Sequence, residues 1–172
     1  FVILIPNKFE EKGILDTLEA VSRLDTKRHI TVILIGRNPN PLLLNKVAAY
    51  YKRIRLRGIR ILDFGFVDGV KKHIIFKSAD VLVQPSKVDS FGIVYLEAWA
   101  SSVPTIGANV GAIPDVIKNR NNGILVPFHN PNQIKLAIEE MIENERFRSS
   151  LGRNGYKNVV QKYDINKIST RI

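Results

Sequence analysis

The chain has 172 residues, 45% hydrophobic and 24% charged, which suits one globular domain with a substantial core and excludes a disordered chain. It contains no cysteine, which excludes a disulfide framework, a thiolate metal site and a cysteine nucleophile, and is compatible with a reducing compartment. Its 26 Lys and Arg against 16 Asp and Glu leave a formal charge of +10, which favours anionic partners (phosphorylated small molecules, nucleic acid or acidic lipid) without choosing among them.

The first run, FVILI at 1–5, reads as a strand. It opens at Phe1 with no initiator methionine and no secretory signal, so the chain is read as a piece of a longer polypeptide. Neither this run nor TVILI at 31–35 approaches the roughly 20 apolar residues of a membrane helix. The loop PNKFEEKG (6–13) leads into a helical pattern over 13–24, and a second strand follows at 30–35. Next come the loop GRNPN (36–40) and a helix over 41–54. That helix runs into KRIRLRGIR, five cations in nine residues. Its plainer reading is a solvated helix end entering a strand. The sharper one is contact with anionic membrane lipid. A nucleic-acid groove ranks third, because no aromatic residue interleaves with the cations.

A third strand spans 59–64, followed by GFVDG (65–69) and a helix over 70–78. The fourth, at 81–84, opens into PSKVDSFG (85–92) and a helix over 91–101. The fifth, at 105–107, leads through ANVGAIPD (108–115) into a helix over 113–119. After a last strand at 124–126 come helices over 131–143 and 146–163. Most strands are apolar on both faces, as in a parallel sheet covered on both sides. Strand and helix alternating about six times predict a doubly wound, Rossmann-like α/β domain: a parallel sheet of about six strands, right-handed crossovers and helices on both faces. In such sheets ligands bind outside the carboxyl ends of the strands, so a site is expected among the five quoted loops. No G-x-G-x-x-G follows the first strand, which disfavours a dinucleotide dehydrogenase. His29, His73 and His129 lack ligand spacing, so no metal is expected.

The loop after the fourth strand carries the most chemistry. Asp89 stands before the pair Phe91-Gly92, where a helix starts, and Glu97 is the one carboxylate in the apolar run FGIVYLEAWA. The first N–H groups of a helix lack internal partners and carry partial positive charge, and glycine lets the backbone approach a ligand; together they make a phosphate seat. Glu97 falls on the least apolar stripe of that helix, where a carboxylate accepts hydrogen bonds from two vicinal ribose hydroxyls. The bland alternatives are that Asp89 or Ser90 caps the helix and that Glu97 points into solvent.

At these residues the chain resembles glycosyltransferase family 4, the retaining GT-B enzymes, in their C-terminal donor-binding half. The family's Pro-Ser, acid, Phe-Gly and second acid, with seven residues between the acids, read here as Pro85-Ser86, Asp89, Phe91-Gly92 and Glu97-Ala98. Its proline-led strand and Gly-Gly-x-x-Glu loop are matched by Pro104-Thr105-Ile106 and Gly111-Ala112-Ile113-Pro114-Asp115. NNGILVP (121–127), Lys12-Gly13 and the stretch 146–164 match further segments, so the resemblance spans essentially the whole chain. Departures are Asp89 for the usual glutamate, Ala112 for the second glycine, Asp115 for its acid, Ser102 where glycine is common, and Asn7 where the family has an arginine.

The resemblance implies the following roles. Lys12 neutralises the donor diphosphate and Asp89 holds hydroxyls of the transferred sugar, as the catalytic pair. Amides around Ser90, Phe91, Gly92, Ile93 and Val94 hold the distal phosphate, and Glu97 binds the ribose. Gly65, Phe66 and Val67 lie against the base. Lys8 or Arg37 is placed to supply the charge that Asn7 lacks. The implied activity moves a hexosyl group of mannosyl or glucosyl type from a UDP- or GDP-sugar to a glycan or lipid-linked acceptor, as in polysaccharide biosynthesis. No cofactor or metal is involved. An N-terminal acceptor domain lies outside this chain, which is expected to be inactive without it. The expected location is cytoplasmic, with peripheral contact to the anionic inner membrane face and no nucleic-acid partner. The alternative is a non-catalytic nucleotide-binding α/β module.

Overall fold

Strands with Val, Ile and Leu on both faces have no wet side, and the chain buries them between two layers of helices. The computed structural model describes residues 1–37, 41–89 and 92–162. Six strands, β1 (Val2–Ile5), β2 (Thr31–Leu34), β3 (Arg60–Asp63), β4 (Val81–Gln84), β5 (Thr105–Ala108) and β6 (Gly123–Val126), form one sheet in the order β3-β2-β1-β4-β5-β6. Every pairing is parallel. The helices are α1 (Ile14–Ser22), α2 (Pro41–Leu56), α3 (Gly69–Ser78), α4 (Ile93–Ala100), α5 (Ile113–Val116), α6 (Pro131–Glu143) and α7 (Glu145–Lys162). This is the expected Rossmann-like α/β sheet. The winding reverses between β1 and β4, and that switch point opens a crevice above their carboxyl ends.

Alternate strand residues feed two cores. Ile3, Ile5, Val32 and Val83 pack with Leu18 and Val21 of α1, Val47 of α2 and Ile138 of α6. Leu4, Ile33 and Leu82 pack on the other face with Phe76 of α3, Tyr95 and Trp99 of α4, and Val159 of α7. The Trp99 indole lies directly on Gly155 of α7, which leaves no room there for a Cβ. Among the described residues no helix is long and apolar enough to cross a membrane.

Three boundaries differ from expectation for identifiable reasons. A short 3-10 turn, Glu10–Lys12, precedes α1, and Gly13 between them is left-handed at φ 79°. The helix expected from 91 starts at Ile93, because Gly92 is left-handed at φ 61° and serves as its N-cap. The helix expected over 113–119 stops at Val116. There the Asn122 side chain accepts from the Lys118 N–H at 2.7 Å and donates to the Val116 carbonyl, taking groups that a further turn needs. The loop residues 38–40 and the expected helix end at Tyr163 lie outside the described residues.

Candidate functional site

The loops that follow β1 and β4 meet along a seam. A Cβ on Gly13 would stand 2.5 Å from the Pro85 carbonyl oxygen, so the two turns touch backbone to backbone. The Lys87 N–H donates to the Glu11 carbonyl at 2.8 Å. Across this seam the Lys12 ammonium donates to the Val88 carbonyl at 2.8 Å and stands 3.4 Å from Asp89 Oδ2. Asp89 is further held by Gln84 Nε2 at 3.0 Å on Oδ2 and by the Gly92 N–H at 3.0 Å on Oδ1. Asp89 is not the N-cap of α4, which is Gly92 and makes no side-chain cap bond; one Asp89 oxygen ties down the turn before the helix while the other faces Lys12. One amide assigned to phosphate, that of Gly92, is already bonded to Asp89. The N–H groups of Ile93 and Val94, in the first turn of α4, take no partner among the described residues.

Glu97 does not point into solvent. It is 4% exposed, and its Oε1 lies 2.7 Å from the ammonium of Lys72, which reaches over from α3. Burial pushes the Glu97 carboxyl above its ordinary range, and the hydrogen bond and charge of Lys72 hold part of that rise back. The Lys72 ammonium also sits 5.7 Å from the centroid of the Phe76 ring.

These groups share one cavity of about 420 Å³ at the switch point. Of the residues expected at a site, Lys12, Asp89, Ile93, Val94 and Glu97 line it. Asn7, read from sequence as standing in the place of the family's arginine, lines it too, as do Pro6, Gln84 and Lys72, which were not assigned from sequence. Gln84 left a trace, a polar residue closing the buried strand VLVQ; Lys72, inside VKKHIIFK, left none. Another concavity of about 370 Å³ is lined by Ala48, Tyr51, Lys52, Arg55 and Leu56 of α2; it holds no carboxylate to pair with its cations.

Lys8 is a correction. It does not line the cavity: its side chain is 1% exposed and its ammonium sits 2.8 Å from Asp63 Oδ1, at the end of β3. Asp63 also accepts from the Tyr51 hydroxyl at 2.9 Å and the Gly65 N–H at 3.0 Å. Burial by itself would raise the Asp63 carboxyl, but Lys8, Gly65 and Tyr51 together hold it below its ordinary range. Lys8 is thus a strut beneath the 64–67 loop, placed there because its aliphatic stem is buried and its charge needs a partner. In that loop Gly65 is left-handed at φ 65° and its carbonyl accepts from Gly36 at 2.7 Å. Phe66 is 64% exposed, with the Arg37 guanidinium 5.5 Å from its ring centroid, and Val67 packs on the core. Arg37 likewise stays out of the cavity. Ser90 and Phe91 lie outside the described residues. Among the described residues no group of three or more His, Cys, Asp or Glu side chains is placed to hold a metal.

Comparison with known proteins follows the same outline. Residues 1–158 match the family model described as Glycosyl transferases group 1. An uncharacterized glycosyltransferase of Methanocaldococcus jannaschii is 30% identical over 159 residues, 92% of this chain and 40% of that protein. The crystal structure of the C-terminal domain of a glycosyl transferase group 1 family protein (LpcC) from Francisella tularensis superposes with a TM-score of 0.83 at 27% identity, over 96% of this chain and 87% of that one. HepE of Anabaena, solved in complex with UDP and glucose, shares the fold with a TM-score of 0.82 at 20% identity, over 98% of this chain and 46% of that one. The chain spans less than half the length of the curated relatives it matches across most of its own length.

Proposed function

The chain belongs to the glycosyl transferases group 1 family, and from that premise we propose that it is the nucleotide-sugar-binding domain of a retaining glycosyltransferase whose acceptor domain lies elsewhere in a longer protein. The observation that carries this is the switch-point cavity, where two carboxylates, two lysines and the first turn of α4, whose Ile93 and Val94 N–H groups take no partner among the described residues, converge. The ribose diol of the donor bonds Glu97. The diphosphate lies against the N–H groups of Ile93 and Val94, in the positive field of the helix end, and beside Lys12. The transferred sugar, a hexose of mannosyl or glucosyl type, meets Asp89, which Gln84 and the Gly92 amide hold in place. Gly65, Phe66 and Val67 take the base.

Catalysis on this reading is electrostatic. The glycosidic carbon–oxygen bond breaks as charge gathers on the departing nucleoside diphosphate, and Lys12 with the helix N-terminus stabilises that charge. No cofactor takes part. The acceptor is a glycan or a lipid-linked glycan, and the protein works in the cytoplasm or against the inner membrane face. The UDP and glucose held on the same fold by HepE lend support to the donor class.

One observation favours a second reading, a nucleotide-binding module without catalysis: Asn7 lines the cavity where this family's pattern has arginine. Titration of the chain with UDP, GDP and their hexose conjugates separates these. Saturable binding of a nucleotide sugar is expected, and Glu97→Gln should weaken it about tenfold or more, since a charged acceptor of two hydroxyl bonds is lost. No binding of any of these ligands would remove both readings. Binding of the bare nucleotide, with no gain from the attached sugar and no effect of Asp89→Ala, would favour the second.

A further inference from the structure

The lining of the cavity is electrically balanced. Lys12 faces Asp89 at 3.4 Å and Lys72 faces Glu97 at 2.7 Å, so among the described residues of the lining an incoming diphosphate finds no spare cation unless one pair opens. The pairs are not equivalent. If Lys12 leaves Asp89, that carboxylate keeps the Gln84 amide and the Gly92 N–H. If Lys72 leaves Glu97, a carboxylate 94% shielded from solvent at its side chain keeps no described partner, which is costly. Lys72 can therefore depart only when other donors reach Glu97 at the same moment.

We propose that Lys72 is a phosphate ligand of the donor, held on Glu97 in the free protein and released onto the diphosphate when the ribose hydroxyls replace it there. This rests on the donor-site reading above and adds a residue that the reading does not use. The geometry suits the exchange. The ribose diol and the first phosphate are joined through one sugar ring, so a group pushed off Glu97 by the diol is already beside the phosphate. A lysine ammonium on a four-carbon stem is a point charge that swings between such partners without the fixed fork of arginine. Lys72 keeps 21% of its side chain exposed, against 6% for Glu97, so the lysine is the member of the pair free to move. Lys72 also restores the second cation to a site where Asn7 supplies none. The ligand class follows from the coupling: a molecule with both a vicinal diol and a phosphate ester, and not either alone.

The test compares uridine, inorganic pyrophosphate and UDP (with guanosine and GDP run alongside) by NMR or calorimetric titration of the wild-type chain, Lys72→Met and Lys72→Gln. The glutamine amide still donates a hydrogen bond to Glu97 but has no charge, so a loss common to both variants tracks the charge. The expected result is a loss of about tenfold or more in nucleoside diphosphate affinity. Nucleoside affinity should not fall, since the diol no longer has to displace Lys72 from Glu97, and pyrophosphate, which has no diol to release Lys72, should lose less than the nucleoside diphosphate. Equal losses for nucleoside and diphosphate would make Lys72 a mere support for Glu97 and overturn the proposal. So would unchanged diphosphate affinity. If the wild-type chain bound neither UDP nor GDP, the donor-site reading itself would fall, an outcome distinct from the other two.

Discussion

The contrast between Asp63 and Glu97 shows how one residue type serves two ends. Asp63 has three donors and sits below the ordinary carboxylate range; Glu97 is buried with one described partner and sits above it. For Asp63 the folded chain holds the proton more weakly than the unfolded one, so its contribution is full above the ordinary range and lost as pH falls through the lowered value. Asp63→Asn should cost about 1–3 kcal/mol near neutrality, with the gap from wild type closing at strongly acid pH; thermal melts across that range check it. Glu97 has the opposite sign. The folded chain keeps its proton longer, so stability declines as pH rises from the ordinary range through the raised value. Both effects were hidden in the linear order. Glu97 could be singled out because an acid interrupts an apolar run, but its partner Lys72 is 25 residues away on another helix. Lys8 could not be placed from its adjacency to Asn7, because the partner that fixes its direction, Asp63 at the end of β3, is 55 residues away.

Among the elements, α4 concentrates the consequences. It starts from a left-handed glycine and ends near Ser102, also left-handed at φ 58°, whose N–H donates to the Trp99 carbonyl at 2.8 Å. That is the position past a helix end where glycine is favoured, because a side chain there crowds the following carbonyl. Ser102→Gly should therefore stabilise the chain, by about 0.5–1 kcal/mol, read as a higher denaturant midpoint with an unchanged slope. A shift in the other direction would mean that the Ser102 side chain does more for the native state than its backbone angle suggests. The strands were legible because β4 and β5 are buried at every position, which keeps their centres apolar on both faces, with polar residues only at the ends, Gln84 and Thr105. The end of α5 was not, because it depends on the Asn122 side chain reaching back from the next strand. Helical periodicity sees neighbours three and four residues apart and misses such a reach.

On the scale of the whole molecule, Lys12, Asp89, Ile93, Val94 and Glu97 come together in one cavity beside the carboxyl ends of the two central strands. A chain that supplies the donor half of a reaction centre should bind nucleotide sugar without passing the sugar on. Incubation with labelled UDP- and GDP-hexoses and a panel of glycan acceptors should leave acceptors unlabelled. Labelled acceptor produced by this chain would place the acceptor site within these 172 residues.

The strand order has a further effect on biogenesis. Val2–Ile5 is synthesised before both strands that flank it, yet it ends up in the middle, zipped to 31–34 on one side and to 81–82 on the other. Until some eighty further residues have followed it, an Ile-Leu rim stays unpaired and adhesive. Nascent chains halted before β4 should thus be a preferred cargo of holdase chaperones, and those released after it should not.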